Sequence, residues 1–225
     1  MAASEPNPQP ALKPPRSAAV AGVLFSLLMG TALVIIRLSV PAYQQDAMEW
    51  MNDASRLSAI HFGAQLVPFA GISFLWFIGV VRHRLGALED RFFSSVFLGS
   101  GLLFVASLFA AGALAESLVE TMTARHVDVR HSEVFYLMRH VLGAYLNVFA
   151  IKMAGVFIMT TSMIVLRTRI LPRWLAYLGI VCAVVLLLVI TDWPWIALVF
   201  PFWMLVFSSS ILFTEFRPSR RVSIA

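Results

Sequence analysis

Charge is scarce in this sequence. Asp, Glu, Lys and Arg together make up 13% of its 225 residues, roughly half the share usual in a soluble domain. An ordinary soluble globular protein is therefore excluded. Lysine is nearly missing, with only Lys13 and Lys152 present. Cysteine occurs once, at Cys182, so a disulfide framework and a cysteine-based zinc or iron–sulfur cage are excluded. Gly-x-Ser-x-Gly, His-Glu-x-x-His, P-loop and Gly-x-Gly-x-x-Gly motifs are all absent, and with them the common nucleophile, metal and phosphate loops. Without Cys-x-x-Cys-His, covalently attached haem is excluded as well. What the chain does have is apolar surface. Hydrophobic types reach 60%, far too much for disorder beyond the termini.

The apolar residues fall into long runs. A helix that crosses a bilayer needs about 20 mostly apolar residues, because about 1.5 Å of rise per residue must cover a core of about 30 Å. Helices are favoured there because they pair every backbone N–H and C=O without water. Six segments qualify, at about 17–36, 57–81, 92–115, 134–166, 174–191 and 193–213. The expected fold is an all-α, six-transmembrane-helix bundle spanning 17–215, a polytopic integral membrane protein. Val40-Pro41-Ala42 resembles a signal cleavage site. The run before it exceeds the usual h-region of about 7–15 residues, so a permanent first span is the better reading.

Orientation follows from the cations. Lys13, Arg16, Arg82, Arg84, Arg91, Arg167, Arg169, Arg173, Arg217, Arg220 and Arg221 all fall on one side of such a bundle. The positive-inside rule makes that side cytoplasmic. Both termini are then cytoplasmic, as an even number of spans requires. Residues 1–16 hold five prolines and read as a disordered tail. Residues 216–225 read as a short basic tail. The net charge of +5 belongs to these flanks, and no basic patch interleaved with stacking aromatics points to nucleic acid. Gly99, Gly101, Ala106, Ala110 and Ala113 give the third span small residues suited to close helix packing.

Polar residues inside the spans are the functional candidates. Lys152 stands near the middle of the fourth apolar run, where a lysine costs about 2.5–3.5 kcal/mol to insert. It should face the bundle interior and find a partner. Tyr145 lies seven residues earlier, on the same face of a regular helix. With no acid inside the spans, a carboxylate partner would come from a helix end, as Glu116 or Asp192. Lys152, Tyr145, Asn147, Glu116 and Asp192 thus form a candidate substrate or proton path, with Thr160 and Thr161 further along the fourth span. The structural alternative is a lysine that is snorkelling or paired within the fold.

A second group gathers on the outer side: His61, His126, Asp128, His131, Glu133 and His140. Imidazole with carboxylate is a ligand set for zinc or a similar divalent ion. His126 and His131 are five apart, which is not a helical ligand pair. His61 and His140, on neighbouring spans, could ligate a single b-type haem. The structural alternative for both is a solvated, charged loop and satisfied interfacial histidines. No cofactor is the default expectation.

The stretch Leu166-Arg167-Thr168-Arg169-Ile170-Leu171-Pro172-Arg173-Trp174-Leu175-Ala176-Tyr177-Leu178-Gly179 resembles the turn between helices four and five in a family of small six-helix bacterial membrane proteins, common in actinobacteria. The resemblance extends over about 147–213. It implies the fold and a bacterial cytoplasmic (inner) membrane, and brings no assigned activity. Physically, the arginines hold the turn in the cytoplasm, Pro172 ends the fourth helix and Trp174 marks the interface.

The expected function is that of a non-catalytic membrane protein, a subunit or accessory component of a larger complex. Its partners would be the lipid bilayer and other membrane proteins. The alternatives are a small transporter or channel centred on Lys152, and a metal- or haem-binding protein at the outer face.

Overall fold

A computed structural model of the protein describes residues 16–39, 54–85, 91–125, 133–188 and 195–216. Among these there is no strand. The described residues form seven α-helices: α1 (Arg16–Ser39), α2 (Ala54–Leu85), α3 (Arg91–Arg125), α4 (Glu133–Gly143), α5 (Ile151–Thr168), α6 (Arg173–Leu188) and α7 (Val199–Phe216). A π-helical segment, Ala144–Ala150, joins α4 to α5, and a 3-10 turn, Ile196–Leu198, leads into α7. Five stretches, in α1, α2, α3, the α4–π–α5 run and the turn with α7, are long and apolar enough to cross a membrane. The sixth apolar helix, α6, has only 16 residues. At 1.5 Å per residue this described stretch is about 24 Å long.

The helices form a closed ring in chain order. α1 packs on α2, α2 on α3, α3 on α5, and α5 on α6. α7 then closes the ring against α1 more extensively than against its sequence neighbour α6. The antiparallel pairing of the fourth and fifth spans therefore forms as the short Arg169–Pro172 turn requires, whereas the fifth and sixth meet over a small surface.

Phenylalanine fills the middle of the ring. Phe25 of α1, Phe74 of α2, Phe104 of α3, Phe157 of α5 and Phe200 of α7 are all buried. Their ring centroids stand 4.8 Å apart for Phe25–Phe74, 4.9 Å for Phe74–Phe157 and 4.8 Å for Phe104–Phe200. Most of the contacts are edge-on or tilted, the arrangement aromatic quadrupoles prefer. In a bilayer, burial of apolar surface would supply no force between helices, and close van der Waals packing of this kind would be one of the terms that join them.

Glycines set how close the helices come. A Cβ on Gly179 of α6 would run into Ser162 of α5 and lie 2.8 Å from Trp203 Nε1. One on Gly22 of α1 would run into Ser208 of α7. Ala18, Gly22 and Ser26 repeat every fourth residue on the buried face of α1, a small-residue stripe. The stripe expected on the third span is only partly interior: Gly101 packs on Ile78 and Phe157, while Ala106 and Ala113 are exposed.

Two elements depart from the expected boundaries. α3 continues to Arg125, ten residues beyond the expected end at about 115. The added stretch, Glu116-Ser117-Leu118-Val119-Glu120-Thr121-Met122, is rich in good helix formers and needs no bilayer to stay helical. The long fourth run contains the π segment, so it is not one regular helix. Pro68 lies within α2 without ending it; its side chain is exposed.

One end of the bundle collects most of the arginines in the described helices. Arg167 at the end of α5 lies 4.2 Å over the Phe93 ring at the start of α3. Gly22, near the start of α1, packs on Phe77 near the end of α2. Arg16, Arg82, Arg167, Arg169 and Arg173 therefore share this end, and all five are exposed.

Candidate functional site

Lys152 is the second residue of α5 and half-buried. Its ammonium donates hydrogen bonds to the carbonyls of Leu187, at 2.8 Å, and Leu186, at 3.1 Å. These belong to the last turn of α6, which ends at Leu188. The last four carbonyls of any helix lack intrahelical donors and carry the negative end of the helix dipole. Lys152 thus supplies donors and positive charge at the last described turn of α6.

The hairpin explains the match. Lys152 precedes Arg169 by seventeen residues and Leu187 follows Pro172 by fifteen. Both therefore stand about 22–26 Å from the connecting turn. This register places Lys152 near the far end of α6. The candidate span that contains it runs from His140 to Thr168, and Lys152 is the thirteenth of its 29 residues.

Gly155, one turn beyond Lys152, brings α5 and α6 together. An added Cβ there would lie 2.9 Å from Leu187 and 3.3 Å from the Ala183 carbonyl. The lysine can reach the carbonyls because the two backbones approach so closely.

The π segment lies immediately before Lys152. Its i→i+5 pattern widens each turn, so a spacing of seven no longer returns to the same face. Tyr145 and Lys152 consequently do not share a face as a regular helix would require. Tyr145 is half-buried, with its ring 5.9 Å from that of Phe149, and Asn147 is exposed. Thr160 and Thr161 are buried and turned back on their own helix, donating to Val156 at 2.8 Å and Phe157 at 2.7 Å.

Glu116 finds a different partner. His61 Nδ1 on α2 and Glu116 Oε2 on α3 are 2.9 Å apart. The other carboxylate oxygen of Glu116 is buried without a hydrogen-bond partner. His140, on α4, is exposed, and Glu133 opens α4. His126, Asp128, His131 and Asp192 lie outside the described residues. Among the described residues no group of three or more His, Cys, Asp or Glu could hold a metal ion.

The carbonyls of Leu186 and Leu187 are hydrogen-bond partners of Lys152 that residue types alone could not reveal, since every helix has such groups. The available signal was the equal distance of Lys152 and Leu187 from the Leu171-Pro172 turn. Comparison with known proteins adds no family: no family model, no curated protein and no solved structure matches the chain. The reading of the site therefore rests on its own geometry: a lysine that ties the fourth apolar run to the end of the fifth, beside a ring closed by aromatic packing.

Proposed function

We propose that the chain is a non-catalytic integral membrane protein that serves as a subunit or accessory component of a larger membrane complex. The observation that carries this reading is the aromatic axis. Five helices each send a phenylalanine to the centre, where a transport path would need water and polar groups. The engagement of Lys152 on α6 supports it further, because that lysine then acts within the fold. We place the bundle in a bacterial cytoplasmic membrane with the arginine end inside, on the positive-inside rule. A C-terminal reporter active only outside the cytoplasm would contradict that orientation.

The test is purification from native membranes in mild detergent, with co-purifying proteins identified and counted. A partner at fixed stoichiometry is expected. Recovery of the chain alone, under conditions that keep other membrane complexes together, would count against the reading.

One feature favours a second reading, a small transporter or channel with Lys152 at its polar site. π turns inside α-helices occur frequently at functional sites, and this one carries Tyr145 and Asn147 just ahead of Lys152. Proteoliposomes would then show flux of protons or small anions, and Lys152→Met would abolish it while leaving insertion intact.

A further inference from the structure

The α5–α6 turn presents cations that its own hairpin does not neutralise. From Val134 to Thr191 the sequence contains no Asp or Glu. Arg169 and Arg173 are exposed, and among the described residues neither pairs with an acid. No acid within this hairpin can neutralise them.

Arg169 also holds an unusual backbone. It caps α5 in the left-handed region, with φ 53° and ψ 25°, and its N–H donates to the Val165 carbonyl at 2.9 Å. Glycine or asparagine suits this position best. Non-glycine residues in this sparsely populated region cluster at ligand clamps and switch segments.

Below the arginines, the outer face of α6 carries one continuous apolar stripe. Trp174, Tyr177, Val181, Val185 and Leu188 are all exposed, and they recur every three or four residues. Trp174 and Tyr177 stand in the first turns, next to the arginines, where amphipathic rings sit at headgroup level. The smaller valines follow deeper. Cations, then aromatics, then aliphatics is the order of phosphate, glycerol and acyl chain along a phospholipid.

We propose that this face of α6 binds an anionic phospholipid, with its phosphate between Arg169 and Arg173 and an acyl chain along Trp174, Tyr177 and the valines. Arginine suits the task because its planar fork matches two phosphate oxygens, and lysine offers no such fork. Every described cation at this end of the bundle is arginine. The proposal needs only that the bundle sits in a bilayer and does not depend on which complex it joins.

The test uses the full chain, purified and stripped of lipid, then exposed to mixed micelles containing phosphatidylglycerol or phosphatidylcholine with the same acyl chains. Retained lipid is counted by mass spectrometry. Saturable retention of phosphatidylglycerol over phosphatidylcholine is expected. Arg169→Gln and Arg173→Gln should each weaken it about fivefold, and the preference should fade with added salt. Arg82→Gln, on α2 at the same end, should leave it unchanged. Equal retention of the two lipids would overturn the proposal, as would wild-type retention by the glutamine pair. Inorganic phosphate at the same concentration should fail to displace the lipid; displacement would make the site one for free phosphate and overturn it too. If the glutamine pair does not fold, the pair Arg169→Lys and Arg173→Lys, which keeps the charge, is read instead. Weaker retention supports the proposal and wild-type retention overturns it.

Discussion

Lys152 answers a local demand. α6 ends with carbonyls that have no helical donor, and the ammonium covers two of them. Lys152→Met removes both bonds. Leaving part-buried acceptors unpaired costs up to about 1 kcal/mol, so the unfolding midpoint in detergent should fall. Lys152→Arg should recover part of the loss, since guanidinium also donates to carbonyls. A methionine variant as stable as the parent would show that the cap contributes nothing. Glycine offers a second residue-scale contrast. Gly179→Ala places a methyl against Ser162 and Trp203 between three helices, whereas Gly79 has nothing within 4 Å of the new carbon. Overpacking costs about 1–3 kcal/mol, so Gly179→Ala should destabilise the bundle in a thermal melt. Gly79→Ala should be neutral or mildly stabilising, because alanine is the better helix former.

Helix pairing raises the same questions at the scale of elements. α2 and α3 share the His61–Glu116 contact, whose side chains are 55% and 36% exposed. Solvent weakens such a pair, so a double-mutant cycle with alanine at both positions should give a coupling of only about 0.2–1 kcal/mol. Additive losses within experimental error would mean that the contact adds no stability. The elements themselves were legible in the sequence because long apolar runs leave few alternatives to a helix. Their ends were less so. Residues 116–125 extend α3 with good helix formers, which a hydropathy criterion ignores. The π segment was illegible, since Ala144-Tyr145-Leu146-Asn147-Val148 differs in no residue type from an ordinary turn of helix. Its effect on the candidate site is direct, because the face shared by Tyr145 and Lys152 depends on regular α-periodicity. Hydrogen-bond partners on another helix's backbone were hidden for a related reason: they follow from register, and composition does not encode register.

At the scale of the whole molecule, the ring is closed by α7 returning to α1, with Phe200 and Phe25 5.5 Å apart. Eighteen phenylalanines in the sequence were compatible with lipid-facing surface as much as with a core. Period alone does not separate the two, because both faces of a membrane helix are apolar. The structure divides them: Phe62, Phe69, Phe92 and Phe202 face outward, and Phe25, Phe74, Phe77 and Phe157 are fully buried. Phe74 is the hub, with rings of Phe25, Phe77, Phe104, Phe157 and Phe200 around it. Phe74→Ala would leave a cavity bounded by four other helices, with no water-driven collapse to close it. Losses of this kind cost about 3–5 kcal/mol in soluble cores, and the packing share of that cost remains in lipid. The variant should unfold at markedly lower denaturant in detergent than the parent, with Phe74→Leu between them. Phe69→Ala, on the same helix but exposed, should change little. Equal effects at the two positions would mean that the axis is not what joins the helices, and the argument against a path through the centre would fall with it.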